Sequence, residues 1–132
     1  MTEALTPAPG ERLAVPYRAV AVALPVLVLV QAALAGQHLF EGMDISLHGT
    51  LGNITFALTV VGVVVAALRR SSALAFFLAV ALMALAFAQV GLGYVGRETT
   101  FAAAWHIPVG VTIFGLACVQ MALALLARAS TR

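Results

Sequence analysis

The sequence predicts an all-α integral membrane protein, a four-helix bundle assembled from two tandem two-helix repeats. Two observations carry that expectation. The first is composition: 63% of the 132 residues are hydrophobic and only 9% are charged, where a soluble domain carries about a quarter charged residues. Mean hydropathy is +1.08. The second is internal similarity. With an offset of 58 positions, residues 18–70 match residues 76–128 at 15 of 53 positions without a gap, against roughly 5 expected by chance in so biased a composition. Ala, Leu and Val matches mean little here. The matches that count are Gln31 with Gln89, His48 with His106, Gly52 with Gly110, Phe56 with Phe114 and Arg70 with Arg128.

Residues 1–15, with Pro7, Pro9, Gly10, Glu3 and Glu11, read as a mobile tail. They lack the basic start and small-residue cleavage pattern of a signal peptide, so the first apolar stretch is expected to stay as a membrane helix. That helix runs from about Pro16 to Phe40, long enough for a hydrocarbon core of ~30 Å at ~1.5 Å per residue. Pro25 lies inside it and is expected to kink it. Glu41-Gly-Met-Asp44 is a short polar turn. A second helix spans about Ile45 to Leu68 and stops at Arg69-Arg70-Ser-Ser72. A third covers about Ala73 to Val95, ending at Gly96-Arg-Glu-Thr-Thr100. A fourth follows from about Phe101 to Ala127, leaving a short tail over 129–132. Residues 16–128 thus form the bundle.

Arginine placement orients it. Arg12, Arg18, Arg69, Arg70, Arg128 and Arg132 fall on one side and Arg97 alone on the other. This asymmetry puts both termini and the middle loop in the cytoplasm, in a bacterial inner membrane. Short connections make neighbouring helices antiparallel. Both repeats cross in the same sense, so a pseudo-two-fold axis along the membrane normal should relate them.

Polar residues inside membrane helices are costly and point to function. His48 and His106 hold equivalent places near the outer ends of the second and fourth helices. The pseudo-two-fold brings their imidazoles face to face across the bundle. Two opposed histidines in an apolar bundle suit the axial ligation of one haem iron, a b-type, cytochrome b-like site. Gly52 and Gly110 lie one turn below the histidines on the same face and allow a flat macrocycle to approach. Ala35 and Gly93 stand likewise one turn after Gln31 and Gln89. Those glutamines read equally as interhelical hydrogen-bond glue or as support behind the ligands. His38 breaks the repeat, since its mate is Gly96. Beside Arg97 it either holds haem propionates at the outer rim or sits among headgroups. Zinc is an alternative, using His38 as a third nitrogen, although no cysteine lies near. Trp105 and Tyr94 read as interfacial aromatics. Cys118 is the one cysteine, so there is no disulfide framework and no Cys-x-x-Cys signature. A net charge of +2 offers no basic face for nucleic acid.

With these residues in view, the chain resembles one four-helix half of the haem A synthases, which fuse two such bundles, each with a histidine pair. It also resembles small bacterial four-helix membrane proteins with Gln-x-x-Leu-x-Gly and His-x-x-x-Gly patterns, here Gln31 to Gly36 and His48 to Gly52. The resemblance implies ligand roles for His48 and His106. The synthases have a glutamate three residues before a ligand histidine, where this chain has Ile45, and an arginine after it, where this chain has Gly49 and Ile107. Their outer-loop cysteine pair and second bundle are missing, which speaks against haem A synthesis by this chain alone.

The functional expectation is a haem b-binding membrane protein for electron transfer or haem handling. One haem near one surface cannot carry an electron across ~30 Å of hydrocarbon, so a quinol or an external redox protein is the expected partner. Self-association into a homo-oligomer is left open. The rival expectation is a cofactor-free scaffold or accessory subunit. Ser46, Thr50, Asn53 and Thr55 form a polar patch on the second helix, but no base and nucleophile recur in the repeat, so no hydrolase or transferase site is expected.

Overall fold

A computed structural model describes residues 12–127. Four helices make up the chain: α1 Ala14–Glu41, α2 Ser46–Leu68, α3 Ala73–Val95 and α4 Thr100–Leu126. The shortest, of 23 residues, reach about 35 Å at the α-helical rise. All four are long and apolar enough to cross a bilayer, and the protein is a multi-pass membrane protein. α1 packs on α2 and α4, and α3 packs on the same two. The helices therefore close into a ring in which α2 and α4 lie on a diagonal. The expected four-helix bundle is present. The expected tail over 129–132 and residues 1–11 of the expected tail over 1–15 lie outside the described residues, and α1 begins at Ala14, inside the latter. Pro16 sits in its first turn, where its missing N–H costs nothing. Pro25 and Pro108 lie within continuous helices.

Small residues set how closely the helices approach. One core layer holds Tyr17 with Ala21, Ala66, Ala75, Ala79 and Ala124; the next holds Val20, Leu24, Leu82, Ile113 and Ala117. Alanine at so many contacts lets backbones come together, which is how membrane helices gain packing energy without a hydrophobic effect between them. At Gly62 a methyl would meet Val20 Cγ1 at 3.2 Å. The large apolar side chains point the other way: Val26, Leu29, Val64, Phe77, Phe87 and Val111 are exposed, as a lipid-facing belt requires.

Turn chemistry fixes where each helix stops. α1 ends in a simple left-handed cap, with Gly42 at φ 70° and its N–H reaching His38 O, while Met43 N–H reaches Gln37 O. α2 ends in a Schellman motif, with Arg70 N–H on Ala67 O and Ser71 N–H on Ala66 O, and there the left-handed residue is Arg70 at φ 55°. α3 and α4 start on side-chain caps: Ser72 Oγ accepts from Ala75 N–H and Thr99 Oγ1 from Ala102 N–H. At the end carrying residues 69–72, Arg18 Nε donates to Ala124 O at 3.3 Å, and the Arg69 guanidinium lies 5.0 Å over the Tyr17 ring.

Candidate functional site

His48 and His106 lie half-buried on α2 and α4, the diagonal pair, and their ring centroids are 6.0 Å apart with the planes at 59°. Each imidazole is tethered to its own hairpin in the same way. His48 Nδ1 bonds Gln31 O at 3.0 Å, and His106 Nδ1 bonds Gln89 O at 3.1 Å. In both cases the partner lies 17 residues earlier. A carbonyl oxygen only accepts, so each Nδ1 carries the proton and each neutral ring has a bare Nε2. Among the described residues neither Nε2 is hydrogen-bonded. The site therefore presents two acceptor nitrogens, locked in one tautomer from opposite sides of an apolar bundle. That is the state in which imidazole binds a metal.

The two glutamines reach this place with their backbones and support it differently with their side chains. Gln31 Nε2 donates to Thr55 Oγ1 at 2.9 Å, and Thr55 in turn donates to Leu51 O at 2.8 Å. In the second repeat the position of Thr55 is Ile113, which offers no hydroxyl. Gln89 Nε2 instead donates to His106 O at 2.9 Å, and its Oε1 is buried without a partner among the described residues.

The glycines stand against these side chains. A methyl on Gly52 would come 3.2 Å from Gln31 Oε1, one on Gly110 2.9 Å from Gln89 Nε2, and one on Gly93 3.1 Å from His106 Cε1. The notches at 52 and 110 thus admit the glutamine amides, and the one at 93 admits the His106 ring.

His38 and Arg97 lie at the rim. His38 Nδ1 donates to Met43 O across the α1–α2 turn. The Arg97 guanidinium sits 5.3 Å over the Tyr94 ring, with Nη2 3.4 Å from where a Gly49 methyl would be, directly after His48. Asn53 Nδ2 donates to Tyr94 OH at 3.2 Å. Asp44 joins this group: the Ser46 hydroxyl and backbone N–H both donate to its carboxylate. Those bonds, then the charges of His38 and Arg97, hold its carboxyl below its usual range. The structure brings together the histidine pair with Gln31, Gln89, Gly52, Gly93 and Gly110, and places Arg97 on the His48 side. His38 is engaged in the turn, and among the described residues no three His, Cys, Asp or Glu side chains cluster as metal ligands. Sequence reasoning saw Asn53 and Thr55 only as a polar patch. The signal for Thr55 was its spacing of seven residues from His48, which keeps it on the ligand face.

No protein-family model matches the chain, and no significant match to it is found among curated proteins or solved structures.

Proposed function

We propose that the protein binds one haem b between His48 and His106 near the outer face of a bacterial inner membrane, and serves electron transfer or haem handling there. The observation that carries this reading is the paired tether: two imidazoles across the bundle, each with Nδ1–H fixed on a glutamine carbonyl and Nε2 bare. The spacing fits as well. A metal bound about 2 Å from each of two opposed imidazole nitrogens separates the ring centroids by about 6 Å, close to the 6.0 Å found.

Residue roles follow. His48 and His106 would hold the iron through their Nε2 atoms. The Gln31 and Gln89 carbonyls hold the tautomer and the ring orientation and raise ligand basicity. Arg97, and His38 once released from Met43, would meet propionates at the rim. When bound, haem supplies a one-electron couple. The surrounding apolar helices exclude water and favour a neutral ligand set. A single site near one surface requires a partner there, a quinol in the bilayer or a protein outside. The matched tethers also support a pseudo-two-fold along the membrane normal between the hairpins 18–70 and 76–128. The arginine asymmetry supports cytoplasmic termini.

A second reading has its own support. Gly52 and Gly110 are filled by glutamine amides, as they would be in a cofactor-free scaffold whose polar residues only tie helices together. One experiment separates the two: absorbance and metal analysis of the purified protein and its histidine variants. The haem reading expects a sharp reduced α-band, lost about equally in His48→Ala and His106→Ala and retained in His38→Ala. A colourless, metal-free protein favours the scaffold. Zinc in a colourless protein, with all three histidines required, favours a zinc site. A low-spin haem that needs His38 but tolerates loss of His48 or His106 would refute the ligand assignment.

A further inference from the structure

Away from the histidines, at the other end of the bundle, a groove of about 440 Å³ lies between α2 and α3. It is lined by Ala66, Ala67, Ala73, Phe76 and Phe77, with Arg70 and Ser71 of the α2–α3 turn at its head. Three features of that head are otherwise unexplained. Arg70 occupies the left-handed position of a Schellman cap, where glycine is usual and where the left-handed cap of α1 has Gly42. The turn therefore keeps a cationic side chain in a conformation that L-residues rarely adopt. Next to it, Ser71 Oγ is buried with no hydrogen-bond partner among the described residues. The third feature is charge. Arg69 is engaged over Tyr17 and Arg18 on Ala124 O, whereas the described acids, Glu41, Asp44 and Glu98, all lie at the opposite turns.

We infer that this groove is a binding site for a single anionic phospholipid, its phosphate held by the Arg70 guanidinium and the Ser71 hydroxyl and an acyl chain lying on Ala67, Phe76 and Phe77. The shape argues for an amphiphile over a soluble anion. A small anion would use only the head, while the apolar lining, with Phe77 67% exposed, must be covered by hydrocarbon in any bilayer. Charge complementarity supplies the headgroup preference: one arginine at the membrane surface favours an anionic lipid, and a zwitterionic lipid gains little. Ser71 Oγ then has the acceptor that it lacks in the protein alone. The inference is independent of the haem reading, because it uses none of the same residues.

The test is native mass spectrometry of the full chain released from neutral detergent, titrated with dioleoyl phosphatidylglycerol or dioleoyl phosphatidylcholine. One phosphatidylglycerol should be retained in clear preference to phosphatidylcholine. Arg70→Gln should weaken that binding about fivefold. Arg70→Gly, which suits the left-handed turn and so folds at least as well, should weaken it equally. Ala67→Phe, filling the groove, should weaken it with the charge intact. Equal retention of the two lipids, or unchanged phosphatidylglycerol binding in Arg70→Gly, would overturn the site. So would its displacement by an equal concentration of inorganic phosphate, which would mark a soluble-anion site instead.

Discussion

Replacing Gly93 by alanine puts a methyl group 3.1 Å from His106 Cε1 and 3.5 Å from its Nδ1. The first contact lies inside ordinary van der Waals distance, so the imidazole must withdraw by a few tenths of an ångström or turn about its side-chain torsions. Turning a side chain ~30° from its rotamer costs about 0.5–1.5 kcal/mol. Loosening the 3.1 Å bond to Gln89 O removes part of a contribution of about 0.5–1.5 kcal/mol. Against these, alanine in a helix interior is favoured over glycine by about 0.8–1 kcal/mol. The sum runs from about 0.5 kcal/mol of gain to about 2 kcal/mol of loss, so the fold should hold while the imidazole moves. The other repeat supports that expectation, because Ala35 already carries the equivalent methyl and His48 still reaches Gln31 O. The assay is ring-nitrogen NMR of histidine-labelled protein in micelles, alongside thermal unfolding. His106 signals should shift, those of His48 should shift less, and the unfolding temperature should fall by no more than about 10 °C. If haem is bound, the low-spin signal should broaden or move. Unmoved His106 resonances with a large loss of stability would refute the reasoning, since Gly93 would then serve helix packing and not the histidine.

Other outcomes follow from the same geometry. Gly110→Ala should cost more stability than Gly52→Ala, by roughly 1 kcal/mol, because its methyl at 2.9 Å displaces the Gln89 amide from His106 O; denaturant titration in mixed micelles that gave the reverse order would contradict this. Asp44 should give the α1–α2 turn an acid limb. Its carboxyl sits below the ordinary 3.8, chiefly through the Ser46 hydrogen bonds, so its stabilising contribution is present above that value and is lost as pH falls through the lower folded value. Amide exchange at Ser46 should accelerate over that acid range in the native protein, and Asp44→Asn should remove the dependence. Topology tags at residue 1, in the 69–72 loop and at residue 132 should report cytoplasm, and tags at 42 or 97 the outside. Cytoplasmic signal from 42 or 97 would reverse the orientation.

Much of the fold was legible because a bilayer makes helix ends chemical events. The apolar runs stop at Gly42, Arg69 and Gly96, and α2, α3 and α4 begin and end within one residue of the expected positions. The histidine pairing was legible from the 58-residue offset alone, since equal places in duplicated hairpins lie on the diagonal of a closed ring. What could not be read was which neighbour each face meets. Helical spacing puts Gly52 on the face of His48, and the sequence suggests room for a flat ligand there. The structure turns that position towards α1, where Gln31 fills the notch. Arg70 was equally opaque: as a charge it announced the end of α2, and nothing in the residue type marks a left-handed cap where glycine is the habit.

The repeat makes the two histidines equivalent only in their tethers. The bonds of 3.0 and 3.1 Å to Gln31 O and Gln89 O match, which is why, in the haem reading, loss of either histidine should cripple haem binding to a similar degree. Their surroundings do not match. Around His48 stand Thr55, which takes the Gln31 amide, Asn53 on Tyr94 OH, and Arg97 beside Gly49. The corresponding positions after His106 are Ile107, Val111 and Ile113, and there the Gln89 amide falls back on the backbone while its Oε1 goes unpaired. The two hairpins thus hold their imidazoles alike, with one side polar and the other apolar. In the haem reading a polar partner, whether a propionate, a quinol headgroup or the surface of a redox protein, is better met on the His48 side, where donors and a cation already converge. On the His106 side the Gly93 notch and the Gln89 carbonyl hold the ring in place.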